Sequence, residues 1–94
     1  MSIDYGNGTV TSFEDVYLFR NATALDALRA VVESITTDYW LGWGAIVTSV
    51  NGLENEGLLG WQYWINGEWG TVAADLTTLI NNDQVEWKYA AFGG

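Results

Sequence analysis

The run Gly60-Trp61-Gln62-Tyr63-Trp64-Ile65-Asn66-Gly67-Glu68-Trp69 holds three of the chain's six tryptophans. Aromatic and β-branched residues crowd its centre, so it reads as a strand. Gly60 opens it, and Asn66-Gly67 closes it with a dipeptide that readily takes positive φ. Alternate side chains of a strand leave on opposite faces. Trp61, Tyr63 and Ile65 therefore share an apolar face, which is expected to be core. Gln62, Trp64 and Asn66 share the other face. Two amides around one indole make the pattern of a partly wet recognition surface.

The rest of the chain has to supply partners for that strand. Ninety-four residues make one domain with one core, and an apolar share of 49% places the chain among globular sequences. We expect it to be a single domain cut from a longer chain. Residues 2–5 read as a first strand, and Gly6-Asn7-Gly8 as a turn. Residues 9–19 return as a second strand, with a bulge or break where the alternation slips at Glu14-Asp15. Residues 21–34 form the one clear helix. Thr23 is placed to cap it, with Asp26 completing a capping-box variant. Leu25, Leu28, Val32 and Ile35 form its buried stripe, and Arg29 is spaced to pair with Asp26 or Glu33.

Residues 36–44 read as a loop carrying Tyr39, Trp40 and Trp43 among glycines. Residues 45–50 are a third strand, stopped by Asn51-Gly52, and Glu54-Asn55-Glu56-Gly57 is a polar turn. The Gly60 strand follows. Residues 71–80 are a long connection with one helical turn near Leu76. Residues 84–90 form the last strand, with Val85, Trp87 and Tyr89 inward. The order β-β-α-β-β-β predicts an α+β fold, one helix on a mixed sheet of about five strands. One helix covers one face of such a sheet and leaves the other open.

Charge and composition narrow the function. Twelve acidic residues face only Arg20, Arg29 and Lys88, for a net charge of −9. Three cations cannot offset many phosphates, so nucleic acid is not the expected partner, nor is an anionic membrane surface. The longest uncharged run, residues 39–53, is 15 residues and broken by glycines, too short to insert in a bilayer. Histidine and cysteine are absent. We expect no enzyme, no catalytic residue, no transition-metal site and no required cofactor. Asn51, Glu54, Asn55 and Glu56 could offer oxygens to calcium, but they read better as a solvated turn. Asn7-Gly8-Thr9 and Asn21-Ala22-Thr23 fit the glycosylation triplet, which matters only in a secretory setting.

Several of these runs carry a resemblance. They are residues 47–52, the Gly60–Gly67 stretch, Ala73-Ala74-Asp75, and Asn82-Asp83-Gln84-Val85-Glu86-Trp87. Together they resemble the DUF4430 domain, which is similar to the C-terminal β-domain of transcobalamin and intrinsic factor. Asn82-Asp83-Gln84 stands where the family often has a Gly-Asp turn. The resemblance implies a β-grasp-like fold in a secreted or cell-surface protein, with cobalamin as a possible ligand. In the cobalamin carriers this domain closes over one face of the corrinoid, and a helical barrel holds the other.

The expected function is a non-catalytic ligand-binding module. Its surface is centred on Trp64, with Gln62 and Asn66 beside it and Trp40 and Trp43 swung in from the preceding loop. The alternative is a structural or adhesive module. Its open sheet face would pack on a neighbouring domain, a surface polymer or a second copy.

Overall fold

The computed structural model describes residues 1–14 and 16–92. Its element order is β1 (Ser2–Asp4), β2 (Val10–Ser12), α1 (Ala24–Val31), β3 (Ile35–Trp40), β4 (Gly44–Val50), β5 (Leu53–Glu54), β6 (Leu59–Ile65), β7 (Glu68–Trp69), a 3-10 turn (Ala74–Leu76) and β8 (Val85–Ala91). The strands form a mixed five-stranded sheet, β2-β1-β8-β6-β7, and a three-stranded sheet, β3-β4-β5. β1 runs parallel to β8, and the remaining pairs are antiparallel. This is the α+β fold with one helix that the sequence predicts, with a second small sheet added. No helix among the described residues is long and apolar enough to cross a membrane.

Thr23 caps α1 through a full capping box. Its hydroxyl accepts from the Asp26 backbone N–H, and the Asp26 carboxylate accepts from the Thr23 backbone N–H. The helix is shorter than predicted and ends at Val31, because Val32 is already extended. Ile35 accordingly falls in β3. Among the described residues Arg29 makes no ion pair, and the one salt bridge is Lys88–Glu86 at 3.3 Å.

Alternate residues of β6 and β8 point to one side and meet everything else there. Trp61, Tyr63, Val85 and Trp87 are buried together with Ile3, Leu25 and Leu28. The Trp87 indole donates to the Ala24 carbonyl at 3.2 Å and ties the large sheet to the start of α1. Trp61 donates to Leu53 O at 2.8 Å, and the Tyr89 hydroxyl donates to Glu54 O at 2.7 Å. Helix and small sheet therefore cover the same face of the large sheet. The opposite face carries Ser2, Asp4, Glu86 and Lys88 in register with Gln62 and Trp64.

Two expectations for strands fail. Residues 36–44 are not a loop. Ile35–Trp40 is a strand, and Leu41-Gly42-Trp43 turns it into β4. Apart from Asp38 its residues are β-branched or aromatic, but four of the six are exposed and none is buried, so no core face betrays the strand in the sequence. Conversely, the second strand stops at Ser12 instead of running to Phe19. The predicted break falls at Glu14 and Asp15; Asp15 lies outside the described residues. The Asn-Gly dipeptides at 51–52 and 66–67 behave as expected. Asn51 and Gly52, and Asn66 and Gly67, all have positive φ and close the two-residue hairpins β4–β5 and β6–β7.

Candidate functional site

β6 pairs with β8 along its whole length but with β7 only at Trp64 and Ile65. Its other edge, around Trp61 and Gln62, looks across at β4. β4 and β6 belong to different sheets, and the space between them opens into a groove of ≈ 470 Å³. The lining is dominated by apolar groups. Its rim is formed by Trp40, Trp43, Trp69 and Phe92. The indoles of Trp40, Trp43 and Trp69 are 55%, 65% and 52% exposed. Two other depressions, ≈ 520 and ≈ 860 Å³, lie beside Met1 and under residues 16–21, contain no tryptophan and are lined mainly by polar groups.

Local geometry fixes the rim. Gly60 allows the Phe92 ring to lie directly against β6, since a Cβ there would sit 2.1 Å from Phe92 Cζ. Trp69 is directed by the β6–β7 hairpin, whose two-residue turn sets it opposite Trp64. Its indole N–H donates to Gln62 Oε1 at 3.0 Å. Gln62 Nε2 donates in turn to the carbonyls of Ala90 and Ala91, at 3.0 and 3.3 Å. Gln62 is buried, and both ends of its amide are engaged inside the protein. On the far wall Gly44, at φ +104°, lets the β3–β4 hairpin come close to Asp75 and Ala73. Asp75 Oδ1 accepts from Ala45 N at 2.9 Å. The strap 70–74 is held by Tyr63, whose hydroxyl bonds to Val72 O and, at 2.6 Å, to Thr77 Oγ1.

The five residues proposed from the sequence separate into two groups. Trp40, Trp43 and Gln62 come together at the groove. Trp64 leaves the same polar sheet face as Gln62 and Trp69 but does not line the groove; it is half-buried, with Lys88 Nζ 4.7 Å above its ring. Asn66 is committed to its turn. Its amide donates to Asp83 Oδ1 and accepts from Gln84 N, at 2.9 and 2.8 Å. Gln62 is also not the free amide expected of a ligand contact; it holds Trp69.

Trp69 and Phe92 line the groove and are not among the five residues expected from the sequence. The hairpin register was the signal for Trp69, because a two-residue turn at Asn66-Gly67 puts it beside Trp64 and diagonal to Gln62. Phe92 carried no such signal. Among the described residues no group of three or more acidic side chains is close enough to hold a metal ion. Asn51 and Asn55 are hydrogen-bonded within the fold, to the Tyr5 hydroxyl and to Val47 and Trp61.

The model of the family described as a domain of unknown function, DUF4430, matches residues 21–91, which takes in α1, both walls of the groove and β8. The chain belongs to the DUF4430 family. Its fold is similar to part of haptocorrin, in a crystal structure of haptocorrin in complex with Cbi, with a TM-score of 0.77 and 17% identity. The superposition covers 97% of this chain and 25% of the haptocorrin chain, so the DUF4430 domain spans a quarter of that protein's length. At that identity the likeness is one of fold. No curated protein sequence matches the chain.

Proposed function

We propose that this DUF4430 domain is a non-catalytic ligand-binding module of a secreted or cell-surface protein, and that its groove takes a flat, ring-rich molecule such as a corrinoid. The observation that carries this reading is the convergence of three half-exposed indoles and Phe92 on one apolar groove. Soluble domains rarely leave such rings together on a surface without a ligand or partner. Indole faces stack on extended π systems, and the open rim allows a planar molecule to enter edge-on or lie across it. The likeness to haptocorrin, solved with Cbi, supports a corrinoid as the first ligand to try. Absence of histidine and cysteine supports a binding role over a catalytic one.

A second reading has its own observation. Leu41 and Leu76 are exposed next to the groove, Leu41 between Trp40 and Trp43 and Leu76 against Gly44. That extension favours a neighbouring domain packing on the groove side, either over a ligand or in its place. The opposite sheet face, with its Lys88–Glu86 pair, suits neither self-association nor domain packing.

Titration of the domain with cobinamide, followed by corrin absorbance and tryptophan fluorescence, tests the first reading. Saturable binding that weakens several-fold in Trp43→Ala is expected. Absence of binding to cobinamide and cobalamin at millimolar concentration would leave the packing reading in its place.

A further inference from the structure

The two walls of the groove come from different sheets, and among the described residues no strand pairing joins them. The Asn55 side chain bonds to both; beside it the Trp61 indole reaches Leu53 O, and Glu56 bridges Leu59. In β4 the register steps from Ser49 opposite Thr36 to Val47 opposite Thr37, so Thr48 is the extra residue of a bulge. A bulge re-aims the backbone, and here Val47 and Thr48 both present their carbonyls to the same residue. Asn55 N–H donates to Thr48 O at 2.8 Å, and Asn55 Nδ2 donates to Val47 O at 3.1 Å. The other end of the same amide, Oδ1, accepts from Trp61 N at 2.9 Å. The Asn55 amide thus stands in for a missing strand, with β4 on its donor side and β6 on its acceptor side. It also lies in the lining of the groove.

We infer that Asn55 is a positioning residue that fixes the separation of the groove's walls, and so the stance of Trp40 and Trp43 opposite Gln62 and Trp69. For its effect on binding, this inference rests on the groove being the ligand site. The chemistry restricts the position to a short primary amide. Aspartate offers acceptors only, alanine offers neither function, and glutamine is one methylene longer. Asp75 holds the same hairpin near its turn, through Ala45 N, and Asn55 holds β4 farther along, at Val47 and Thr48.

Asn55→Asp separates the two halves of the clip. An ionised carboxylate still accepts from Trp61 N–H but faces the Val47 carbonyl without a proton to give. Once protonated, below about pH 3.9, it donates again and the clip is restored. The experiment compares wild type and Asn55→Asp at neutral and acid pH. It reads cobinamide affinity and, without ligand, the indole N–H resonances of Trp40 and Trp43.

At neutral pH the variant is expected to shift both resonances and to bind about tenfold more weakly than wild type. At acid pH the difference between the two proteins should close. Resonances that stay in place at neutral pH, or that shift and do not return on protonation, overturn the inference. If wild type binds no cobinamide while the variant's resonances move reversibly with pH, the positioning role stands and the corrinoid reading falls. Should Asn55→Asp not fold at neutral pH, Asn55→Ser carries the same comparison of resonances at neutral pH. Its hydroxyl can donate and accept but, one atom shorter than the amide, does not reach both walls, so unmoved Trp40 and Trp43 there would equally overturn the inference.

Discussion

Replacing Gln62 by alanine should loosen Trp69 without unfolding the domain. The side chain makes three hydrogen bonds, to Trp69 Nε1, Ala90 O and Ala91 O. Water can replace the first, because Trp69 is half exposed, and the Ala91 carbonyl belongs to an exposed residue. The Ala90 bond is the costly one, since that residue is half-buried. Leaving such a group under-satisfied, together with the packing of the one buried methylene that alanine lacks, sums to about 2 kcal/mol. A domain of this length has roughly 5–14 kcal/mol in total, so the variant should remain folded. At about 4–8 °C per kcal/mol, its midpoint should fall by roughly 8–16 °C. Thermal unfolding by circular dichroism gives the shift, and the Trp69 indole resonance should move to a solvent-like position. A midpoint within about 2 °C of wild type, with that resonance unmoved, would show that Gln62 does not hold Trp69.

Three further substitutions probe the frame. Thr23→Ala removes the hydroxyl half of the capping box and should cost ~1 kcal/mol in urea unfolding; no change would mean that the Asp26 carboxylate caps α1 alone. Trp87→Ala empties the core beside Tyr63, whose ring centroid is 5.4 Å away, and should cost ~3–5 kcal/mol; a loss under ~1 kcal/mol would contradict its place in the core. Gly70→Ala would set a Cβ 2.2 Å from Tyr63 Cζ, on a ring that Val72 and Thr77 hold by its hydroxyl. It should destabilise by ~1–3 kcal/mol and release the strap 70–74, visible as faster amide exchange there; unchanged exchange would show that the strap moves freely without strain.

Much of the large sheet was legible because its residues obey simple alternation. β6 and β8 send Trp61, Tyr63, Val85 and Trp87 inward, and the turns at Asn51-Gly52 and Asn66-Gly67 fall where the pattern stops. The helix start was equally plain from Thr23 and Asp26. β3 was missed because it buries almost nothing, so only propensity marks it and the glycines after it suggest a loop. The site was half legible for a related reason. Face alternation says which residues leave a strand together, but not which neighbouring element meets them. Trp40 and Trp43 do reach an aromatic surface, yet it lies along the edge of β6 and not over Trp64. The roles of Gln62 and Asn55 had no sequence signature at all. Each is set by side-chain bonds to backbone groups that come together only in the folded chain.

The central claim, that ligand enters the groove between β4 and β6, can be tested by following all six indole N–H resonances while cobinamide is added to the isotopically labelled domain. Saturable shifts are expected for Trp40, Trp43 and Trp69 at a common affinity, with Trp64, which does not line the groove, unmoved. Movement of Trp64, on the polar face beneath Lys88, while the three groove indoles stay in place would contradict it.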